Sequence, residues 1–100
     1  MKKVCIIEGG KIKDKKALHR RLKDDLELSD YYGNNLDALW DEISSSRKER
    51  RVIIENKEEL LHSLGDYGKS FLSTLFELDR EVSNFDFKIA KEGDVNGTCE

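Results

Sequence analysis

Two aspartates, Asp37 and Asp41, stand one helical turn apart in a segment that the sequence predicts to be a helix. The apolar residues of this segment have the spacing i, i+3, i+4 and i+7 of one buried helix face: Leu36, Leu39, Trp40 and Ile43. At about 100° per residue, the two carboxylates lie together roughly 120° from that face, on a flank exposed to water. Such a pair suits acid–base catalysis, cation binding, or occupation of an anion site on a partner protein.

Catalysis and cation binding are the less favoured of these uses. Two carboxylates that cleave a glycosidic bond must flank it, and one needs a raised pKa. Side chains next to each other on one solvated helix flank nothing, and calcium sites usually add loop carbonyls that this sequence does not offer. Like charges at this spacing destabilise a helix by about 0.2–0.5 kcal/mol, so helix stability does not explain Asp41. The carboxylate pair therefore either serves to dock a partner or is simply tolerated on the surface despite this small loss of helix stability.

The other reactive residues form no recognisable site. Gly9-Gly10 lacks the further glycines and the Lys-Ser/Thr pair of a phosphate-binding loop. His19 and His62 have no metal-ligand partner at helical spacing, so we expect both to be surface or partly packed helix residues. Cys5 and Cys99 match no metal spacing. We therefore expect no enzyme activity, no metal and no cofactor.

Charge is distributed in blocks along these 100 residues, whose formal net charge is −3. Residues 11–23 hold seven bases and one acid, and residues 24–46 hold seven acids and no Lys or Arg. A second basic cluster, Arg-Lys-Glu-Arg-Arg, spans residues 47–51. The acidic block indicates either a solvated face or a docking surface for a cationic partner. The basic blocks leave open a small RNA-associated or regulatory domain, although the net charge argues against nucleic acid as the main partner.

The elements that position these residues follow the order β-α-α-β-α-α-β. Strands separated by helices imply parallel pairing, so we predict an α/β fold with a small three-stranded parallel sheet and helices packed mainly on one face. One domain is expected over residues 1–90, followed by a polar tail over residues 91–100. The predicted strands span residues 3–7, 51–55 and 85–90, and the predicted helices span residues 14–28, 35–43, 56–64 and 67–82.

Polar residues at the helix starts predict how each helix is capped. Asp14 caps the first helix, and Asn34 or Asn35 caps the second. Asn56 and Glu59 have the spacing of a capping box for the third helix. Gly33 is expected to let the backbone turn tightly before the second helix, where one of the two preceding tyrosines packs against the core. No apolar stretch reaches the roughly 20 residues of a membrane helix and no signal-like segment is apparent, which favours the cytoplasm.

The run Tyr31-Tyr32-Gly33-Asn34-Asn35-Leu36-Asp37-Ala38-Leu39-Trp40-Asp41 closely resembles the barstar family of intracellular ribonuclease inhibitors. The resemblance extends upstream through Leu18-His19 to the first strand, and the later elements agree with it in order. It implies a three-stranded parallel sheet with helices packed against it. The chain departs from the family where Ser44-Ser45-Ser46 replaces an aromatic residue, and where Asn34 replaces an acidic one.

The resemblance also implies a partner, a secreted guanyl-preferring ribonuclease of the barnase type, bound one to one. The second helix and the segment before it would plug the nuclease cleft, with Asp41 in the phosphate site and Asp37 beside it facing a base. Trp40 would support the helix, and an immunity protein against a toxin of other chemistry remains an alternative. The family resemblance implies no direct contact with nucleic acid or membrane, and a monomer when free. The implied partner-binding residues are Tyr31, Gly33, Asn35, Leu36, Asp37, Asp41 and, on the last helix, Glu77.

Overall fold

The computed structural model describes residues 2–90 and contains the predicted parallel sheet. Its three strands lie side by side in chain order, β1-β2-β3, and both pairings are parallel. The α/β class and the element order are confirmed, and the predicted tail lies outside the described residues. The strands are β1 (Lys3–Glu8), β2 (Arg50–Glu55) and β3 (Phe85–Ile89), and the helices are α1 (Lys15–Leu26), α2 (Leu36–Ser44), α3 (Lys57–Leu64) and α4 (Asp66–Glu81), with a short 3-10 turn over Gly9–Lys11.

The sheet has one covered and one open face. Alternate strand residues are buried beneath the helices: Cys5, Ile7, Val52, Ile54, Phe85 and Phe87. On the other face Val4 and Ile6 are 42% and 41% exposed. The apolar runs of β1 and β2 are therefore buried only at alternate positions, because the helices cover one side of the sheet.

The core lies between the covered face of the sheet and the apolar stripes of the helices. It receives three leucines from α1, the inner face of α2 and most of the apolar residues of α4. Leucine at every fourth position of α1 builds one continuous ridge against β1. The large apolar helix residues with 0% exposure are Leu18, Leu22, Leu26, Leu39, Leu60, Phe71, Leu75 and Leu78.

At the start of α1 a predicted cap is confirmed, and at the start of α3 a predicted cap is wrong. Asp14 accepts a 2.8 Å hydrogen bond from the Ala17 backbone N–H, as a capping residue does. Asn56, in contrast, makes no capping bond and adopts a left-handed backbone with φ of 55°. Its amide donates to the Glu8 carboxylate, so the capping-box prediction is wrong because the side chain is engaged across the fold. Gly9 permits this approach, since a Cβ there would lie 2.1 Å from the Asn56 carbonyl oxygen.

Within residues 2–90, none of the helices combines the length and the apolar character that crossing a membrane requires.

Candidate functional site

Helix α2 begins at a well-formed cap. The Asn35 side-chain oxygen accepts a 2.8 Å hydrogen bond from the Ala38 backbone N–H, and its amide nitrogen donates to the Gly33 carbonyl at 3.3 Å. This confirms Asn35 as one of the two predicted caps. Downstream, Leu39 and Ile43 are buried, which sets the rotation of α2 about its own axis.

The opposite flank of α2 carries both predicted carboxylates. Asp37 and Asp41 are exposed, and within residues 2–90 neither forms a salt bridge. Trp40 is half-buried and packs against the core, which agrees with a role in supporting the helix. Asp37 lies in the first turn, where the helix dipole favours a negative charge, whereas Asp41 lies a turn later and gains little. The flank therefore presents two negative charges that the described fold leaves available.

The segment between α1 and α2, residues 29–35, is tied to α2 at its start. We call it the connecting segment. The Ser29 backbone N–H donates to the Glu42 carboxylate at 3.2 Å, and the Ser29 hydroxyl donates to the same carboxylate. The Ser29 hydroxyl oxygen and carbonyl in turn accept from the backbone N–H groups of Tyr31 and Tyr32 at 3.3 and 3.1 Å. These bonds form a compact turn that is anchored on the helix it precedes.

The two tyrosines of the connecting segment point in opposite directions. Tyr31 is 94% exposed and Tyr32 only 6% exposed, which confirms that one of the pair packs against the core. The left-handed residue of the turn is Asn34, with φ of 58°. The interpretation of Gly33 as the residue that allows the tight turn is therefore wrong. A Cβ on Gly33 would meet Ala38 Cβ at an ordinary 3.4 Å, and Asn tolerates the left-handed region well.

Six of the seven predicted partner-binding residues are contiguous in the structure. All six lie on the connecting segment or on α2, and all but the half-buried Leu36 are exposed: Tyr31, Gly33, Asn35, Leu36, Asp37 and Asp41. Glu77 is also exposed but lies on a different element, α4, which packs against α2. The structure thus assembles an acidic surface around one helix flank.

The basic cluster at residues 47–51 does not form one surface. Arg50 is 3% exposed, and its Nε donates to the Leu26 carbonyl at 3.0 Å. Arg51 lies on the open sheet face, where its Nε and Nη2 bind both Asp86 carboxylate oxygens at 2.7 and 3.1 Å. These bonds hold the pKa of Asp86 below its usual value. Only Arg47 and Lys48 remain as exposed bases of this cluster.

The first basic block does form a groove. Lys16, Arg20 and Lys23 project from α1 and line an open cavity of about 440 Å³, together with Asp24 and with Asn34 of the connecting segment. Within residues 2–90, none of the three bases is salt-bridged. The acidic surface therefore has a basic neighbour.

Sequence reasoning also misjudged the burial of His19. It is 1% exposed, so the expectation of a surface or partly packed histidine is wrong. Its Nδ1 lies 2.5 Å from the Tyr32 hydroxyl, and its Nε2 lies 2.6 Å from the Tyr67 hydroxyl. Burial, helped by the positive charge of Lys15, lowers the pKa of His19 to about 4. The available signal was its spacing, since His19 stands three residues before Leu22 on the apolar stripe of α1.

In residues 2–90, no three His, Cys, Asp or Glu side chains come together in a way that holds a metal ion. Cys5 is a buried thiol, and burial together with the nearby Asp25 carboxylate raises its pKa to about 12, so it is a poor nucleophile. What the acidic surface offers is charge held in a fixed geometry.

Similarity to known proteins decides the family. A family model described as "Barstar (barnase inhibitor)" matches residues 2–92. The chain belongs to the barstar family. A relative in Bacillus subtilis (strain 168), named "Putative ribonuclease inhibitor YrdF", is 37% identical over 93 residues, which cover 92% of this chain and 100% of the relative. The resemblance seen in residues 31–41 thus extends over the whole described barstar-like fold.

Proposed function

We propose that this barstar-family protein inhibits a guanyl-preferring ribonuclease of the barnase type, by filling its active-site cleft with α2 and the connecting segment. The observation that carries the proposal is the pair of exposed carboxylates on α2, Asp37 and Asp41, which the described fold leaves without a salt bridge. Membership of the barstar family and the name of the Bacillus subtilis relative both support inhibition of a ribonuclease.

Electrostatics gives the proposal its physical basis. A ribonuclease cleft must be cationic, because it holds the phosphates of RNA. Two carboxylates on a rigid helix flank can take the place of a phosphate and exclude the substrate. Opposite charges on the two surfaces also accelerate their encounter, and this acceleration weakens as salt is added.

Each predicted contact residue has a role in this arrangement. Asp41 enters the phosphate-binding site and Asp37 faces an arginine or lysine beside it. Trp40 supports the helix from its half-buried side. Further contacts come from the connecting segment, the start of α2 and, on α4, an additional acid: Tyr31, Gly33, Asn35, Leu36 and Glu77.

The proposed activity also implies where the protein acts and how it binds its partner. The inhibitor is a non-enzymatic immunity protein, monomeric when free, that acts in the cytoplasm of the producing cell and binds a secreted nuclease one to one. A toxin of other chemistry is an alternative partner for the same surface. Under either reading the protein itself binds no cofactor.

A titration tests the proposal directly. Increasing amounts of the protein are added to a fixed amount of purified barnase, and cleavage of a fluorogenic guanosine-containing RNA is followed. We expect activity to fall linearly and to reach zero near one equivalent. The proposal would be contradicted for this class of nuclease if activity fell without a defined equivalence point. It would also be contradicted if activity did not fall at tenfold excess of the protein.

The groove on α1 favours a second candidate, an RNA-associated domain. Lys16, Arg20 and Lys23 offer three bases in one cavity, which is how a phosphate backbone is held. The acidic surface beside the groove repels a polyanion, which is why we rank this candidate second. Fluorescence anisotropy with a labelled single-stranded RNA distinguishes the two, since only this candidate requires salt-sensitive binding by the isolated protein at low ionic strength.

A further inference from the structure

Three elements of the fold meet at one buried side chain, the imidazole of His19. The ring belongs to α1 and is 1% exposed. Its two nitrogens contact hydroxyls from opposite directions: Nδ1 lies 2.5 Å from Tyr32 of the connecting segment, and Nε2 lies 2.6 Å from Tyr67 in the first turn of α4. The rings of these tyrosines also tilt against the imidazole, with centroids 5.6 and 5.9 Å away.

The chemistry of imidazole makes this chain of hydrogen bonds directional. A neutral ring has one N–H donor and one acceptor nitrogen, so one tyrosine donates to it and the other accepts from it. Because both nitrogens are used, the ring cannot turn over without losing both bonds. Burial lowers the pKa of His19 and raises that of Tyr32, so both groups stay neutral at neutral pH. In this arrangement of the side chains, both ring nitrogens of His19 are hydrogen-bonded in either tautomer.

The connecting segment depends on this chain at its centre. Its start is bound to Glu42 through Ser29, and its end is the Asn35 cap. Between them, Tyr31 is 94% exposed, so it supplies almost no packing. Tyr32 is the buried residue that holds the middle of the segment against the core. Its hydroxyl bonds to His19, and the other ring nitrogen of His19 bonds to the Tyr67 hydroxyl on α4.

We propose that His19 and Tyr67 are positioning residues that hold the connecting segment in its nuclease-binding shape, although neither touches the partner. This inference rests on the proposed function for its partner, but its first half concerns the free protein alone. A segment ordered before binding loses less conformational entropy when the complex forms. Such preorganisation mainly slows dissociation and changes association little.

Removal of one hydroxyl tests the inference with little disturbance of the core. Tyr67→Phe keeps the ring and deletes the bond to His19, and Tyr32→Phe does the same from the other end. The matched control is Ile54→Val, which trims a buried methyl group in β2 and weakens the fold without removing a hydrogen bond between His19 and either tyrosine. All variants are compared by amide hydrogen exchange of residues 30–34 in the free protein and by the association and dissociation rates of the barnase complex.

We expect Tyr67→Phe to accelerate exchange at residues 30–34 and dissociation of the complex by about tenfold each, with association within about twofold. Ile54→Val should leave both local exchange and dissociation close to those of the wild type. The effects of Tyr67→Phe and Tyr32→Phe should not add, because both act through His19.

Two results would overturn the inference, and they are separable from failure of the proposed function. If Tyr67→Phe leaves exchange at residues 30–34 unchanged, the chain does not position the segment, whatever the nuclease does. If exchange changes but dissociation matches that of Ile54→Val, the Tyr32–His19–Tyr67 hydrogen bonds order the segment without contributing to nuclease binding. If the wild-type protein does not bind barnase, the proposed function fails for this nuclease, and with it the claim that the segment is held in a nuclease-binding shape. The exchange measurement on the free protein still decides whether His19 and Tyr67 position the segment.

Discussion

His19 on α1 and Tyr32 on the connecting segment share a hydrogen bond of 2.5 Å, which joins the core of the molecule to the surface that carries the predicted contacts. The bond is buried, and its acceptor and donor are both neutral groups whose pKa values are shifted away from ionisation by burial. Acid should therefore affect this surface by protonating the buried His19 beneath it.

Stability should fall between about pH 6.5 and pH 4. The pKa of His19 is about 4 in the folded state and near 6.5 when unfolded, so the unfolded chain binds the additional proton first. The stabilisation is complete above the unfolded value and is lost as pH falls toward the folded one, by at most on the order of 3 kcal/mol. Lys15 on α1 and Glu42 on α2 are the charged groups that act on this pair, alongside the Tyr67 hydroxyl.

Urea unfolding at pH 7, 5.5 and 4 checks this prediction, with His19→Gln expected to flatten that part of the profile. The matched control is His62→Gln, which changes an exposed histidine and should leave the profile unchanged. An identical slope for wild type and His19→Gln would show that other groups govern the acid response.

Asp41→Ala should abolish most of the inhibition while leaving the fold intact. Removing one partner of a buried ion pair costs about 3–5 kcal/mol, which is a loss of roughly 10² to 10³-fold or more in affinity for the nuclease. Because the carboxylate has no salt bridge within residues 2–90 and stands one turn from Asp37, the free protein should be equally or slightly more stable. Competitive titration against barnase gives the affinity, and thermal unfolding gives the stability.

The control for net charge is Asp79→Ala, which changes an exposed residue on α4. Equal inhibition by the two variants would show that Asp41 has no part in the mechanism.

Ser29→Ala should loosen the connecting segment at its start. The substitution deletes the hydroxyl that donates to Glu42 and accepts from the Tyr31 N–H, so we expect a loss of about 0.5–1.5 kcal/mol in the free energy of unfolding. Ser83→Ala removes an exposed hydroxyl elsewhere and should lose much less. Chemical denaturation of both variants decides the point, and equal stabilities would mean that the Ser29 contact contributes nothing net.

Gly9→Ala should be among the most damaging small substitutions in the chain. Its Cβ would lie 2.1 Å from the Asn56 carbonyl oxygen and 2.8 Å from the Leu60 backbone nitrogen, so main chain must move. Overpacking of this kind costs about 1–3 kcal/mol or more. Gly33→Ala is the comparison, because its Cβ would find only ordinary contacts. Comparable melting temperatures for the two variants would contradict the close approach of the turn after β1 to the start of α3.

Local patterns predicted most of the fold, because its elements are encoded by short-range spacing. The stripe from Leu36 to Ile43 and the cap Asn35 act within one or two turns, and the structure agrees with both. The capping box at Asn56 failed because its side chain instead binds Glu8, 48 residues away. For His19, the spacing on the apolar stripe of α1 indicates burial but not the partner Tyr67, which is also 48 residues distant. Spacing along the chain carries no information about such partners, and the family resemblance supplied the residue roles that spacing alone left open.

Outward and inward residues alternate closely between residues 31 and 43. Tyr31, Gly33, Asn35, Asp37 and Asp41 are exposed, whereas the residues that secure the backbone beneath them are buried: Tyr32, Leu39 and Ile43. Evolution can therefore act on the two sets separately. A gene duplicate can acquire a new target through a few changes at outward codons while the inward codons preserve the scaffold, so related inhibitors in one genome can diverge in target without each having to rediscover how to fold.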